Sequence, residues 1–232
     1  HWPIHDGILR DLASVPRLAV LKARQLGWSW LLDSWISWKM LFTGGFRAGM
    51  TSAGELEAAE FIDKCRFILA ELPPFLQAKV GVTNRSELTF PGRKSKILAL
   101  PATEAAGRSE TATLVVCDEH DFHPYAQENY GAVKPTIDAG GQLVLVSTAN
   151  KGSLLSLFKS LYREAPGNGF KTVFLPWHVR PGRDKAWFER IAREYDPLAL
   201  EGEYPATAEE ALAPSKAMAY FQRGACMKLL TG

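Results

Sequence analysis

Two nearly continuous apolar runs, each ending in polar residues, constrain the fold of this chain more than any other feature of the sequence. The first run, TATLVVCDE at residues 111–119, ends in two acids, and the second, QLVLVST at residues 142–148, ends in two hydroxyl residues. Strands in a parallel sheet have this composition because helices cover both of their faces. The chain is therefore predicted to contain a mainly parallel sheet.

Helical and strand patterns alternate along the rest of the chain, as they do in α/β domains. From about residue 197 the sequence is rich in Glu, Ala and Pro and contains no long strand. We therefore predict one domain over residues 1–196 and a C-terminal appendage, or a linker toward a further domain, over residues 197–232. The predicted elements are strands at 17–23, 46–52 and 170–177, a hairpin at 86–100 that turns at Pro91-Gly92, and helices after Gly27 and at 53–72, 125–134, 153–163 and 184–195.

The composition excludes several classes of protein. The 232 residues include 27 Lys and Arg against 25 Asp and Glu, and this balance argues against a highly basic DNA-wrapping protein. The three cysteines are odd in number and far apart, so they predict neither a disulfide framework nor a zinc motif. The most apolar stretch, residues 28–42, is interrupted by Asp33 and Lys39, and no membrane span is predicted.

The segment LKARQLGWS, at the end of the first predicted strand, is the first candidate site. A phosphate-binding loop normally reads GxxxxGK[ST], in which backbone N–H groups surround phosphate, a lysine neutralises it and a hydroxyl binds Mg²⁺. Gly27 and Ser29 match the second glycine and the hydroxyl position. Lys22 replaces the first glycine, Trp28 replaces the lysine, and Arg24 adds a second cation. An ordinary strand-to-helix turn is the alternative.

Two acids, Asp118 and Glu119, directly follow the apolar residues LVVC. Because the carboxyl ends of parallel strands lie at one edge of a sheet, these acids are expected beside the candidate phosphate loop. In such a Walker B arrangement the first acid binds a metal ion and its water, and the second orients the attacking water. Helix capping or simple solvation of the two acids is the alternative.

Two further segments are predicted to lie at the same edge. Residues 147–150, at the end of the next strand, offer hydroxyl and amide groups for sensing a γ-phosphate. Gly107 and Arg108 precede the acid pair, and an arginine on such a loop can act as an arginine finger that accelerates nucleotide hydrolysis by about 10³–10⁵. A polar strand exit without a role and a solvated arginine are the alternatives.

The segment 84–96, which includes the tip of the predicted hairpin, carries a local excess of positive charge. Its basic residues are Arg85, Arg93, Lys94 and Lys96, against Glu87 as the single acid. A local excess of positive charge can bind phosphates without reading bases, as a sequence-indifferent DNA-binding protein requires. A solvated hairpin is the alternative.

Three of these segments together resemble the ATPase domain of bacteriophage terminase large subunits. They are KARQLGWSWLL at 22–32, LVVCDE at 114–119 and LVSTANKGS at 145–153, and residues 203–211 resemble the end of the same region. The resemblance implies a three-layer, RecA-like (ASCE) P-loop NTPase fold in a motor that uses ATP and Mg²⁺ to translocate double-stranded DNA into a procapsid. It also implies a ring-shaped homo-oligomer, a portal protein and a small terminase subunit as partners, and the host cell cytoplasm as the location.

The resemblance also implies roles for individual residues. By this resemblance Ser29 and Asp118 order Mg²⁺, Glu119 orients the attacking water, and Arg108 acts on the neighbouring subunit's site. The nucleotide-binding loop corresponds to Lys22, Ala23, Arg24, Gln25, Leu26, Gly27, Trp28 and Ser29, with the family's lysine moved to the start of the motif. The coupling motif, which links hydrolysis to movement, corresponds to Ser147, Thr148, Ala149 and Asn150.

The chain also departs from the family pattern. Ile4 and His5 stand where the family often has an aromatic-Gln pair that reads adenine, and the length leaves no room for the nuclease domain, so no nuclease activity is expected. A helicase-like RecA-type ATPase is one alternative, because an acid pair followed by Ser-Thr-Ala also suits helicases. A DNA-binding clamp that does not hydrolyse ATP is another, and Trp28 at the lysine position motivates it.

Overall fold

A computed structural model describes residues 2–52, 54–100 and 112–215 of the chain. Its strands form one seven-stranded sheet. The strands are β1 (Arg17–Lys22), β2 (Arg47–Thr51), β3 (Glu87–Phe90), β4 (Ser95–Ala99), β5 (Leu114–Cys117), β6 (Gln142–Ser147) and β7 (Lys171–Leu175). The helices are α1 (Ile4–Ser14), α2 (Trp28–Phe42), α3 (Glu55–Ala70), α4 (Ala126–Asp138), α5 (Leu157–Glu164), α6 (Lys185–Glu194), α7 (Pro197–Glu203) and α8 (Ala208–Leu212).

The sheet has the order β3-β4-β2-β5-β6-β1-β7, and every pairing in it is parallel except that of β3 with β4. Strand β6 lies between β1 and β5, with Leu21 beside Ser147 and Cys117 beside Leu145. The carboxyl ends of these three strands therefore lie at the same edge of the sheet. The mainly parallel sheet predicted from the two apolar runs is confirmed.

Helices cover both faces of this sheet and give it three layers. On one face α1, α2 and α3 pack with alternate strand residues such as Val20, and on the other face α4, α5 and α8 pack with residues such as Leu21. Successive residues of a strand point to opposite faces, and both of these residues are fully buried. This double burial explains why the central strands read as continuous apolar runs rather than as alternating ones.

The predicted strands and helices are present, and three helices (α1, α7 and α8) were not predicted. The predicted hairpin is β3 and β4, which are joined by a 3-10 turn at Pro91–Arg93. Helix α1 was not predicted; it contributes Ile8 and Leu12, one turn apart, to the core. Ile4 and Leu9 of the same helix also pack against the core, so the apolar residues of α1 follow helical spacing and a periodic signal is present in the sequence.

Short helices follow the last strand, and their starts are fixed by side-chain caps. Oxygen atoms of Asp184, Asp196 and Thr207 accept hydrogen bonds from the first backbone N–H groups of α6, α7 and α8. Tyr204 and Ala211 are buried, so the described part of the C-terminal segment packs against the sheet domain. The division of the chain at residue 196 stays a prediction.

Within the ranges that the structure describes, no helix is both long and apolar enough to cross a membrane.

Candidate active site

The loop between β1 and α2 has the backbone geometry of an anion-binding turn. Gln25 and Gly27 adopt left-handed conformations with φ of 59° and 69°, and Gly27 caps the N-terminus of α2. Glycine tolerates this conformation without steric cost. The first N–H groups of a helix have no intrahelical partner and attract anions. The predicted phosphate loop is therefore found where a helix N-terminus meets the carboxyl edge of the sheet.

Trp28 does not take the place of the missing lysine. Its side chain is buried in the hydrophobic core on the α2 face of the sheet, so it can contribute to an anion site only through its backbone N–H. Ser29, the next residue, is half-buried in the first turn of α2. The hydroxyl position of the motif is therefore retained, and the cation must come from elsewhere.

Lys22 supplies a cation at the end of β1. It is buried, and its Nζ lies 3.0 Å from Oε1 of Glu119. Glu119 follows β5 and has a left-handed φ of 49°. Because β6 separates β1 from β5, these side chains meet across the end of the intervening strand. The structure thus brings together the lysine of the predicted loop and the second acid of the predicted pair.

The end of β6 holds the other oxygen of the same carboxylate. Thr148 donates its backbone N–H at 3.0 Å and its hydroxyl at 3.1 Å to Glu119 Oε2, and the Ser147 hydroxyl lies 3.4 Å from that oxygen. Burial alone would raise the pKa of Glu119, but the Lys22 ammonium and the hydrogen bonds from Thr148 outweigh it and lower the pKa. Glu119 is therefore held as a carboxylate.

Asp118 directly follows β5. Its Oδ1 accepts the backbone N–H of Glu119 at 3.0 Å, and its carbonyl oxygen lies 2.8 Å from Nε2 of His123. Burial raises the pKa of Asp118 against the opposing effect of Lys22, and the neighbouring Glu119 raises it further. A cation beside Asp118 would relieve both unfavourable effects.

The oxygen atoms of this edge fit Mg²⁺. In the described part of the chain, no cluster of three or more His, Cys, Asp or Glu side chains is arranged to hold a metal ion by itself. Mg²⁺ usually keeps several waters and takes one or two carboxylates together with substrate phosphates. One carboxylate, Asp118, and one hydroxyl, Ser29, next to an anion-binding turn match that requirement.

A buried polar network behind Glu119 was not among the predicted site residues. Asp121 pairs with Lys159 at 3.2 Å, and both side chains are almost completely buried. The same carboxylate accepts the backbone N–H of Asn150 at 2.7 Å and the hydroxyl of Ser156. The network fixes residues 147–150 on the side away from Glu119. A lysine on the buried face of α5 was the only sequence signal for it.

The segment after β6 also contacts the C-terminal helices. Lys151 is buried and donates to the carbonyl oxygens of Glu210 and Ala213, the latter at 2.9 Å. Cations at a helix C-terminus satisfy carbonyl groups that lack intrahelical partners. Residues that follow the predicted coupling segment are therefore tied to the end of α8.

The structure divides the predicted basic patch into two parts. Arg93 and Lys94 lie at the turn between β3 and β4, at the edge of the sheet opposite to the candidate site, because β4 starts there and runs parallel to β2. Arg85 precedes β3 and lies at the other end of the antiparallel hairpin. Lys96 is half-buried within β4. Only Arg93 and Lys94 therefore lie at the hairpin tip, and DNA binding by the four residues stays a prediction.

Gly107 and Arg108, the predicted arginine finger, lie outside the described residues.

The architecture defines a class of protein. A mainly parallel three-layer sheet, with a helix N-terminus after β1 and an acid pair after β5, is the RecA-like P-loop NTPase fold, so the predicted fold class is confirmed. Solved structures with this fold include phage terminase ATPase domains, which confirms the resemblance at the level of the fold.

Three of these structures cover most of the chain. The ATPase domain of the large terminase of Thermus phage P74-26 is 18% identical, with a TM-score of 0.67 over 83% of this chain and 88% of that one. The large terminase of the thermophilic bacteriophage D6E in complex with ATP-γ-S is 12% identical, with a TM-score of 0.69 over 89% of this chain and 52% of that one. The HK97 bacteriophage large terminase is 19% identical, with a TM-score of 0.58 over 90% of this chain and 45% of that one.

This chain thus spans about half the length of the D6E and HK97 proteins. No protein-family model matches the sequence, and no curated protein matches it.

Proposed function

We propose that this chain is the ATP-hydrolysing motor domain of a large terminase, which drives double-stranded DNA into a procapsid. The position of the Glu119 carboxylate carries the proposal: one oxygen lies 3.0 Å from Lys22 Nζ and the other accepts from Thr148. A lysine after β1, an acid after β5 and polar groups after β6 are what a γ-phosphate-hydrolysing site requires at one point. The D6E terminase in complex with ATP-γ-S supports nucleotide binding by this fold.

The geometry supports an exchange of partners when nucleotide binds. The N–H groups at the start of α2 bind the phosphates, and Lys22 turns from Glu119 toward the incoming negative charge. Glu119, still held by Thr148, then has one free oxygen with which to orient a water molecule and accept its proton. Ser29 and Asp118 would hold Mg²⁺, which would neutralise charge on the phosphates.

Residues 147–150 would transmit the change in the contacts of Glu119 to the rest of the domain. Ser147 and Thr148 bond the Glu119 carboxylate, whereas Asn150 bonds Asp121 in the buried network. A displacement of Glu119 therefore reaches a segment whose far side is fixed. This arrangement supports the coupling role proposed for Ser147, Thr148, Ala149 and Asn150.

The remaining parts of the proposal concern partners. We propose that the motor is a ring-shaped homo-oligomer in the host cytoplasm that contacts a portal protein and a small terminase subunit. Arg108 acts on the neighbouring subunit's nucleotide in this proposal. Arg85, Arg93, Lys94 and Lys96 contact DNA phosphates, and residues 197–232 lead toward a nuclease domain.

Hydrolysis assays with one matched pair of variants test the proposal. We expect the assembled protein to hydrolyse Mg·ATP faster when double-stranded DNA is added. Glu119→Gln should lower kcat by about 10²–10⁴ and still bind nucleotide, because Lys22 remains. The exposed Glu128 of α4 provides the control, and Glu128→Gln should leave kcat unchanged.

The same assays separate the alternatives. If the wild-type protein binds DNA and nucleotide without hydrolysing ATP, it is a clamp. If it separates DNA strands, it is helicase-like. Full activity of Glu119→Gln would overturn the mechanism.

A further inference from the structure

Two arginines contact the phosphate loop from its outer side. The turn at residues 180–183 follows β7 and lies against the loop. Arg180 Nη1 donates to the carbonyl oxygen of Gln25 at 2.8 Å, and Arg183 Nη1 donates to the carbonyl oxygen of Arg24 at 2.9 Å. The second guanidinium nitrogen of Arg183 lies 3.4 Å from the Gln25 side-chain oxygen. Two consecutive carbonyl groups of the loop are thus bound by guanidinium groups.

Because the two arginines bind the loop's carbonyl groups on its outer side, they also determine the direction of the N–H groups on its inner side. The peptide bonds of this loop are trans, and in a planar trans peptide the C=O of one residue and the N–H of the next point in opposite directions. Fixing the carbonyls of Arg24 and Gln25 toward the arginines therefore aims the N–H groups of Gln25 and Leu26 away from the turn. The left-handed φ of 59° at Gln25 is a strained conformation for a residue other than glycine, and its surroundings must maintain it.

Arg183 is itself held rigidly. Its side chain is buried, with the guanidinium carbon 4.5 Å from the ring centre of Trp187 and 5.3 Å from that of Tyr204. Burial, followed by the nearby charge of Arg180, lowers the pKa of Arg183. In the part of the chain that the structure describes, Arg183 has no carboxylate in an ion pair. Its hydrogen bonds go to the phosphate loop instead.

We infer that Arg183, with Arg180, is a positioning residue that imposes the phosphate-binding geometry on this loop. The loop lacks the first glycine of the usual motif, and Lys22 stands in its place. The planar fork of an arginine can bind two acceptors at fixed directions, which the ammonium group of a lysine cannot do. The loop conformation that the first glycine allows in the usual motif is therefore maintained in this chain by Arg180 and Arg183. The inference rests on the proposed nucleotide site and names a further residue on which that site depends.

Nucleotide affinity tests this role. Binding of a fluorescent ADP analogue with Mg²⁺ is measured for wild type, Arg183→Lys, Arg183→Met and Arg190→Gln, the last being an exposed arginine on α6. We expect both Arg183 variants to lose affinity by about 10- to 100-fold and the Arg190 variant to match wild type. Because Arg183→Lys keeps the charge, full affinity in that variant would overturn the positioning role.

Amide hydrogen exchange without nucleotide separates this inference from the proposed function. In Arg183→Met, exchange should accelerate at residues 23–29 and stay as in wild type across β5 and β6. Unchanged exchange at residues 23–29 would overturn the inference while leaving the ATPase proposal intact. Absence of nucleotide binding by the wild-type protein would overturn the ATPase proposal and, with it, the role of Arg183.

Discussion

At the residue scale, the candidate site depends on opposite charges that are partly shielded from water. Lys22 is buried and its partner Glu119 is about one-third exposed. Removing one member of a buried ion pair leaves the other with an unfavourable, uncompensated charge. In the proposed function an incoming phosphate offers Lys22 an equivalent partner, so the pair would link the stability of the protein to phosphate binding.

Lys22→Met should destabilise the protein by about 1–3 kcal/mol at pH 7 and abolish tight nucleotide binding. Lys22 lowers the pKa of Glu119 in the folded state, so this stabilisation is present above the ordinary glutamate pKa and is lost as the pH falls through the lowered value. Urea denaturation at pH 7 and pH 4.5 measures the effect, and the destabilisation should be smaller at the lower pH. Lys185→Met, which breaks an exposed pair with Glu189, is the control. Equal losses in the two variants would contradict the prediction.

Asp33 gives a second prediction, with the opposite dependence on pH. The side chain is fully buried in α2, and among the described residues neither carboxylate oxygen has a hydrogen-bond partner. Burial, with a smaller contribution from the charge of Asp118, raises its pKa to about 8 against the opposing charge of Lys64. Between the ordinary aspartate pKa and this value the folded state holds one more proton than the unfolded state. The free energy of unfolding should therefore fall as pH rises, by up to about 1.4 kcal/mol per pH unit.

Asp33→Asn removes this titration. Its stability relative to wild type should increase between pH 5.5 and pH 7.5, as measured by urea denaturation. Glu128→Gln makes the same chemical change at an exposed position of α4 and should leave the pH dependence of wild type intact. If the free energy of unfolding depends on pH with the same slope in wild type and Asp33→Asn, the buried carboxyl does not titrate in this range.

At the element scale, the sequence predicts a strand best when the composition of that strand alone indicates how deeply it is buried. The double burial of β5 and β6 made each an apolar run, and the polar residues at their ends marked the site. Asp121 and Lys159 are 38 positions apart in the chain, and their pairing depends on how α5 packs. Arg183 reaches the phosphate loop only because the chain returns after β7. Such contacts follow from tertiary structure and leave no local pattern.

Helix α7 also makes a tertiary contact that leaves no local sequence pattern, and this contact gives a prediction. Gly202 lies in α7, and a Cβ atom there would be 2.7 Å from the carbonyl oxygen of Ala149. Alanine favours helices more than glycine does, but a backbone oxygen cannot move aside easily. We expect Gly202→Ala to destabilise the protein by about 1–3 kcal/mol and to slow DNA-stimulated hydrolysis.

Gly131, within α4, provides a matched control because a Cβ atom there meets nothing within 4 Å. Gly131→Ala should stabilise the protein by about 0.5–1 kcal/mol. Thermal unfolding of both variants measures the difference. Stabilisation of similar size in both would mean that α7 does not contact the coupling segment so closely.

At the scale of the whole molecule, the end of α7 joins the two halves of the candidate site. Glu203 accepts the backbone N–H of Arg24 at 2.8 Å and pairs with its side chain at 3.2 Å. The preceding residue, Gly202, packs on Ala149. The C-terminal segment therefore contacts both the predicted phosphate loop and the predicted coupling segment.

The proposed DNA contacts lie at opposite ends of the hairpin. Arg93 and Lys94 are at the sheet edge opposite to Glu119, whereas Arg85 lies beyond the other end of β3, a strand that is about 13 Å long at about 3.3 Å per residue. If both ends contact phosphates, Arg93→Gln/Lys94→Gln should reduce the slope of log K against log salt by about 2, and Arg85→Gln by about 1. Fluorescence anisotropy with two unrelated duplexes measures these slopes, which should not depend on sequence. Arg190→Gln/Arg193→Gln changes the net charge equally on the exposed side of α6 and should leave the slope unchanged. An unaltered slope in the hairpin variants would assign DNA binding to another surface, because a lost phosphate contact must release fewer counterions.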